Sequence, residues 1–501
     1  MSLGGEEIVG IVVDNSTPTR ARFVSSNPPP VGEYVTIEYP RGEVLGLVER
    51  VGTRSFTLAS LAGTYDPVLL EKLSSSQGAG DVYFECSARL LGDTERLEIP
   101  RLPPLPGSRV KLAPTDLLKR FFGGPDPYYV SIGVLASRPD VEVKVSVNKL
   151  VTRHTAVLAV TGAGKSNTVA VIVDGLAKIG GTVLILDFHG EYAASDIAGS
   201  RLKVIEPTLN PWHLSVAEFM VLVGIEPHYY NQERIFRKAL EEVRKSGRGP
   251  FLEELLSAVE KVRTRRREES AAAAAVANKI EALIEKYGET IIRDDAVDPA
   301  AALEIGHVNV LDLSQIDEEA ADVVVSHVLR QLLHERKKHK MGARSRVPTP
   351  VLVVVEEAHI LAPRDGNTLS KYWLSRIARE GRKFGLGLML VSQRPKALDP
   401  NILSQANNLI VLRIVEPSDQ RHIQEASESL SEDLVEQLPS LNTGEAVVVG
   451  PFVKLPALVK IYKYRGKLGG TDPDVVREWM KATAHQRAEY AIEDPDYESL
   501  L

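Results

Sequence analysis

Between Ala156 and Thr168 the chain reads Ala-Val-Leu-Ala-Val-Thr-Gly-Ala-Gly-Lys-Ser-Asn-Thr, and no other stretch constrains its fold as tightly. An apolar run ends in a Gly-X-Gly-Lys-Ser turn. A helical pattern then runs from Thr168 to Ile179, with Val169, Ile172, Val173 and Leu176 on its apolar side. This is the strand, phosphate loop and helix of a P-loop nucleotide site. Gly162 and Gly164, on either side of Ala163, let the backbone wind so that successive N–H groups, on to Asn167, point at a phosphate. Lys165 supplies a point charge for the β- and γ-phosphates, and Ser166 a hydroxyl for Mg²⁺. The expected ligand is therefore ATP or ADP with Mg²⁺. Ala159 departs from the usual pattern, which has its first glycine there.

The rest of the chain surrounds this unit in order. Residues 6 to about 100 alternate short strands with turns: Ile8–Val13, Arg20–Val24, Tyr34–Glu38, Val44–Val51, Phe56–Ala59 and Val82–Arg89. Strands at that spacing predict a small β-barrel or sandwich. Arg101–Gly107 is a proline-stiffened linker. Leu117–Phe122 reads as a brief helix and Val141–Val147 as a strand. Thr182–Leu186 is continuously apolar, as in a fully buried parallel strand, and ends in Asp187-Phe-His-Gly-Glu191-Tyr192. From about 212 to 300 the pattern turns helical, over Val216–Val223, Asn231–Lys245, Leu252–Arg263 and Glu268–Lys286. Its basic run Arg263–Arg267 reads as a solvated helix face. The sheet resumes with His307–Leu313, Val351–Val355, Leu386–Ser392 and Leu409–Val415, interleaved with helices Glu318–Lys338 and Leu369–Phe384. Val447–Val449 and Leu458–Tyr464 follow, and the tail is helical, then acidic. The expected division is 1–100 barrel, 101–140 linker, 141–211 first part of the ATPase core, 212–300 inserted helical bundle, 301–465 second part of the core, and 466–501 a C-terminal brace.

Composition sets outer limits. No run of eighteen apolar residues exists, so no membrane span is expected. The first residues carry neither a basic nor an apolar leader segment, and the one cysteine, Cys86, cannot form an internal disulfide. A cytoplasmic protein is expected. A net charge of −7 argues against a surface coated in phosphate-binding side chains, but it leaves room for a locally basic channel.

A second strong signal is Val351-Leu-Val-Val-Val-Glu356-Glu357-Ala358-His359. A buried strand ending in two acids suits a Walker B strand. Glu356 then belongs to the Mg²⁺ shell, where aspartate is commoner, and Glu357 is the base that takes a proton from the attacking water. Asp187 is placed to hold a Mg²⁺-bound water or the nucleophile, or else to cap the turn that follows it. Gln393, one residue past the strand Leu386–Ser392, is placed to sense the γ-phosphate. The helix Leu369–Phe384 sets Trp373, Ile377 and Phe384 along one line and carries Arg376, Arg379, Arg382 and Lys383. Arg382, with Arg379 second, is the candidate arginine finger reaching a neighbouring subunit's γ-phosphate. Arg153, at the base of the phosphate-loop strand, is a weaker candidate for nucleotide contact.

Taken together, Thr-Gly-Ala-Gly-Lys-Ser-Asn, Asp-Phe-His-Gly-Glu-Tyr, Glu-Glu-Ala-His, Ser-Arg-Ile-Ala-Arg-Glu-Gly-Arg-Lys-Phe-Gly and Val-Ser-Gln-Arg-Pro occur in that order behind a barrel. The chain thereby resembles the archaeal HerA ATPases of the HerA–FtsK branch of hexameric DNA motors. The resemblance implies an α/β fold with a RecA-like P-loop ATPase core, a HAS-barrel-like N-terminal barrel, an inserted helical bundle and a bracing tail. It implies an ATP-driven double-stranded DNA translocase or helicase, a homohexameric ring, and work with a NurA-like nuclease in end resection during double-strand-break repair. In that family the barrel docks the nuclease and the tail braces the adjacent subunit. DNA contacts are guessed from loop position and charge at Lys371, Arg364 and Lys396, touching phosphates rather than bases. The competing readings are an ATPase that remodels or secretes protein and a scaffold that uses nucleotide as an assembly switch. The loops after the Walker B strand lack the aromatic-apolar-Gly motif expected of the first of these.

Overall fold

The computed structural model describes residues 7–55, 81–226, 228–247, 249–265, 269–427, 429–470 and 475–480. The expected strand Phe56–Ala59, part of the basic run after Arg263, and most of the tail lie outside them.

Six strands form a closed barrel: β1 (Ile8–Val12), β2 (Arg20–Ser25), β3 (Tyr34–Tyr39), β4 (Gly42–Ser55), β5 (Val82–Asp93) and β6 (Arg109–Leu112), in the order β1-β2-β5-β4-β3-β6. Alternate residues point inward, Ala21 and Phe23 on β2 meeting Cys86, Ala88 and Leu90 on β5 in a core separate from the main one. Cys86 is a buried packing residue, and burial pushes its thiol up to about 11. Register shifts at Leu45/Gly46 and Val48/Arg50 let β4 bend around the barrel.

The closing strand β6 corrects the expected boundary at residue 100. Residues 101–140 are likewise not a linker. They hold β6, the helix Thr115–Phe122 and β7 (Tyr129–Leu135). Besides the proline-rich part, residues 123–128 and 136–140 also lack regular structure. Beyond the proline-rich part Leu118, Phe121 and Phe122, on the helix read from the sequence, are buried in the main core, whereas the four-residue β6 is too short for periodicity to show.

The core is an eleven-stranded mixed sheet. Its other strands are β8 (Glu142–Ser146), β9 (Thr155–Leu158), β10 (Thr182–Asp187), β11 (Leu202–Ile205), β12 (Val308–Asp312), β13 (Val351–Val355), β14 (Leu386–Ser392), β15 (Asn408–Val411), β16 (Glu445–Val449) and β17 (Ala457–Ile461). The order is β11-β12-β10-β13-β14-β9-β15-β16-β17-β7-β8. The first seven run parallel, and the last four add antiparallel. β10, β13 and β14 are buried along their whole length, as strands covered by helices on both faces must be. The strand expected to reach Val415 stops at Val411.

The helices Val216–Leu222, Tyr230–Ser246, Phe251–Arg265 and Ser270–Tyr287 fill the crossover from β11 to its parallel neighbour β12. Ser215 starts the first of them with a capping box completed by Glu218. Phe219 and Phe251 stack with centroids 5.4 Å apart at the centre of the bundle. Arg263 is taken up by Glu260 at 3.0 Å, consistent with a solvated helix face.

The barrel is fixed to the core. The Tyr34 hydroxyl donates to the Pro456 carbonyl, its ring meets Phe122 edge-on at 5.5 Å, and Glu33 pairs with Arg138 at 3.1 Å. No helix among the described residues is long and apolar enough to cross a membrane.

Candidate nucleotide site

β14 separates the two strands that carry the strongest motifs, β9 with the phosphate loop and β13 with the acidic pair. All three are parallel, so their carboxyl ends open onto one cleft of about 400 Å³, where open α/β sheets bind their ligands. Gly162 (φ 77°) and Gly164 (φ 106°) take left-handed backbone in the loop, which only glycine adopts without strain. The helix Lys165–Lys178 starts directly after Gly164. Behind the loop the Gly444 N–H donates to the Ala163 carbonyl at 3.0 Å.

Lys165, Glu357 and Gln393 meet at one point. The Lys165 ammonium lies 2.8 Å from Glu357 Oε1 and 3.9 Å from Glu356 Oε2. Gln393 donates through Nε2 to the same Glu357 oxygen at 3.0 Å, and accepts at Oε1 from the Thr161 hydroxyl at 2.6 Å. Glu357 is buried and sits at φ 43°, ψ 46° where β13 turns into the helix Ala358–Leu361. A non-glycine residue there carries about 1–3 kcal/mol of backbone strain, which persists where the surroundings enforce it. Its Oε2 is buried without a hydrogen-bond partner, 3.3 Å from His359 Nδ1.

Glu356 turns the other way. Its Oε1 accepts from the Tyr192 hydroxyl at 2.5 Å, and burial pushes its carboxyl up to about 7 against the pull of Lys165. A buried carboxylate short of cationic partners, across the cleft from the Ser166 hydroxyl, is a donor set suited to Mg²⁺.

Two expected roles change, those of Asp187 and Arg153, and the side chain of Asn167 is turned elsewhere. Asp187 reaches the cleft wall, but its carboxylate accepts backbone N–H bonds from Glu191, Tyr192 and Ala193 at 3.2, 2.9 and 3.0 Å. It caps the turn after β10, the second of the two roles the sequence offered for it. The Asn167 side chain is used away from the phosphates. Its amide nitrogen donates to the Tyr462 carbonyl and its oxygen accepts the Tyr464 N–H, both at 2.8 Å. Arg153 lies at the amino end of β9, the edge opposite the phosphate loop, and is not brought to its own chain's cleft.

Arg382 shares that opposite edge. The helix expected to run to Phe384 ends at Glu380, and a 3₁₀ turn, Gly381–Phe384, leads into β14. Seven residues of β14 at ~3.3 Å each put roughly 20 Å between this turn and Gln393. Arg379 and Arg382 are exposed with no ion pair among the described residues. Arg376, by contrast, is held by Glu380 at 2.6 Å and lies over the Trp373 ring.

The model of the HerA helicase central domain matches residues 130–332, and that of the HAS barrel domain residues 9–96. The DNA double-strand break repair helicase HerA of Sulfurisphaera tokodaii is 44% identical over 491 residues, spanning 95% of this chain and 97% of its own. The HerA of Pyrococcus furiosus is 35% identical, with the same two shares. The chain belongs to the HerA family. Two solved structures share its fold alone: VirB4 of Thermoanaerobacter pseudethanolicus (TM-score 0.50, 16% identity, 68% of this chain and 98% of that one) and the plasmid coupling protein TrwB (0.52, 12%, 72% and 95%).

Within this HerA-family chain, two of the three guessed DNA contacts are otherwise engaged. The Lys371 ammonium binds the Pro363 and Gly366 carbonyls at 2.7 and 3.0 Å and Asp399 at 3.0 Å. Lys396 pairs with Glu416 at 2.5 Å. Arg364 is exposed. Sequence reasoning gave no role to Thr161, His189, Tyr192 or His359, all gathered around Glu356 and Glu357. Their common signal was available, since each lies within a few residues of the carboxyl end of a buried strand.

Proposed function

We propose that the chain is an ATP-hydrolysing motor subunit that drives translocation along, or unwinding of, double-stranded DNA during double-strand-break repair. Membership of the HerA family supports the DNA-repair helicase role. The observation that carries hydrolysis is the convergence of Lys165 and Gln393 on one oxygen of a buried, strained Glu357.

In this reading the phosphate loop and Lys165 hold the β- and γ-phosphates of ATP. Ser166 and Glu356 hold Mg²⁺, which neutralises phosphate charge when bound. Glu357, oriented by Gln393, takes a proton from the water that attacks the γ-phosphorus, and the β–γ bridging oxygen leaves with ADP. Gln393 registers the γ-phosphate through its amide. Arg382 stands an edge away from its own cleft, so its partner is the site of the next subunit, as a homohexameric ring provides. Arg153, on the same edge, belongs with it. The barrel is the docking part for a NurA-like nuclease, and the proposed domain division is that expected above with β6 returned to the barrel and the helix Thr115–Phe122 and β7 to the ATPase core.

The test is the ATPase rate of the purified protein with and without linear duplex DNA and a NurA-like nuclease, together with its native mass. DNA-stimulated turnover in a hexamer is expected. A rate indifferent to duplex DNA in every combination rejects the motor reading and leaves a nucleotide-switched scaffold.

A further inference from the structure

The helix Glu318–Lys340 carries a buried guanidinium near its end. Arg336 is 5% exposed, and no carboxylate among the described residues pairs with it. Its Nε donates to the Phe384 carbonyl at 2.8 Å and its Nη1 to the Val347 carbonyl at 3.0 Å. Burying a cation on neutral partners is costly, and an apolar side chain of similar volume would often be at least as stable there. What Arg336 grips is the end of the turn Gly381–Phe384.

The next residue grips the other end. Lys337 pairs with Glu380 at 2.9 Å, and its ammonium lies 5.2 Å from the centre of the Phe384 ring. Arg376 binds the same Glu380. The turn has no slack of its own, because a Cβ on Gly381 would meet the Leu386 carbonyl oxygen at 2.5 Å, and Gly385 sits at φ +67° beside Arg336 and Pro350. Between the two grips Arg382 and Lys383 stand exposed.

We propose that Arg336, seconded by Lys337, is a positioning residue that fixes the backbone of the Gly381–Phe384 turn so that Arg382 is presented to a neighbouring subunit's nucleotide. This rests on the reading of Arg382 given above. A long arginine gains from such fixing, because a misplacement of about 1 Å can cost on the order of a hundredfold in rate.

Mixed rings separate positioning from mere support. Arg336→Met alone should lower kcat by about tenfold or more with ATP affinity within about twofold. Mixed with Lys165→Ala subunits, whose turns are intact, it should recover part of the activity, as should the control pair Arg382→Ala with Lys165→Ala. ATP affinity lost in step with kcat overturns the proposal. So does failure of the Arg336→Met pair to recover where the control pair recovers. If the control pair itself fails, the reading of Arg382 falls, and this inference with it. Should Arg336→Met not fold, Lys337→Met takes its place, with the same pattern expected and the same outcomes overturning it.

Discussion

The Lys165 ammonium lies 2.8 Å from Glu357 Oε1, and the Gln393 amide donates to that same oxygen from 3.0 Å. One carboxylate oxygen is thus held by residues from the phosphate loop and from the end of β14. The other is buried without a hydrogen-bond partner, 3.3 Å from His359 Nδ1, and is the oxygen that takes the proton in the proposed mechanism.

Glu357→Gln keeps the side chain's size and removes its basicity. We expect ATP binding within about threefold of the parent and hydrolysis lower by roughly 10²-fold or more, the usual range for loss of a general base. Single-turnover phosphate release alongside equilibrium ATP binding measures both. Turnover near the parent level would give the proton to another group.

Gln393→Ala removes a neutral donor from a carboxylate that Lys165 still holds. The expected result is a fall in kcat of about tenfold with little change in KM, the pattern of an interaction strengthened in the transition state. Steady-state kinetics decide it. A rise in KM at unchanged kcat would make Gln393 a binding group only.

Stability should follow pH through a buried cluster between the helical bundle and the core. His327 lies 2.9 Å from Asp298 and 3.4 Å from Glu218, which Arg330 also binds at 3.1 Å. Burial pushes His327 down, but its bonds to the two carboxylates outweigh this and raise it above its usual 6.5. Burial likewise pushes Glu218 up, and its bonds to His327, the Ser215 N–H and Arg330 outweigh this, holding it at about 2. The histidine's contribution is complete below pH ~6.5 and is lost as pH rises through its raised value. Glu218's is complete above ~4.5 and is lost as pH falls towards 2. Thermal melts should therefore favour the window between them. His327→Gln should cost about 3–5 kcal/mol near pH 6 and flatten the decline on the alkaline side. Parallel melting curves for variant and parent would contradict this.

Gly387→Ala tests how closely β14 is packed. A Cβ there would come within 2.1 Å of the Val151 carbonyl oxygen, in the helix Val147–Thr152. Overpacking of about 1–3 kcal/mol is expected, read as a lowered denaturation midpoint. An unchanged midpoint would show that this helix yields freely.

Legibility in the sequence followed burial. β13 matches its expected bounds and β10 exceeds them by one residue, because a parallel strand covered on both faces must be apolar throughout. β6, β7 and β11 went unread, being short or only partly buried, with no clean period. The phosphate loop, Glu356, Glu357 and Gln393 stood out because the chemistry proposed for them requires those types after a strand, and they line one cleft. That β14 lies between β9 and β13 is a matter of long-range pairing that no local pattern encodes. The preferred role of Asp187 and the guess at Lys371 missed for one reason: a polar residue at a strand end or in a loop can serve a ligand or its own backbone, and only the folded geometry says which.

The antiparallel end of the core sheet has a practical consequence for dissecting this protein. β7 comes from before the phosphate loop yet lies between β17 and β8, with Leu135 opposite Val459. A truncated chain beginning at residue 141, where the ATPase core was expected to start, would lose that strand, strip β8 from the sheet and bare the flank of β17. An unpaired flank of that kind invites other chains to add to it. Insolubility of such a fragment would reflect the cut and not an inability of the ATPase to fold, whereas a fragment starting before residue 115 keeps the sheet whole.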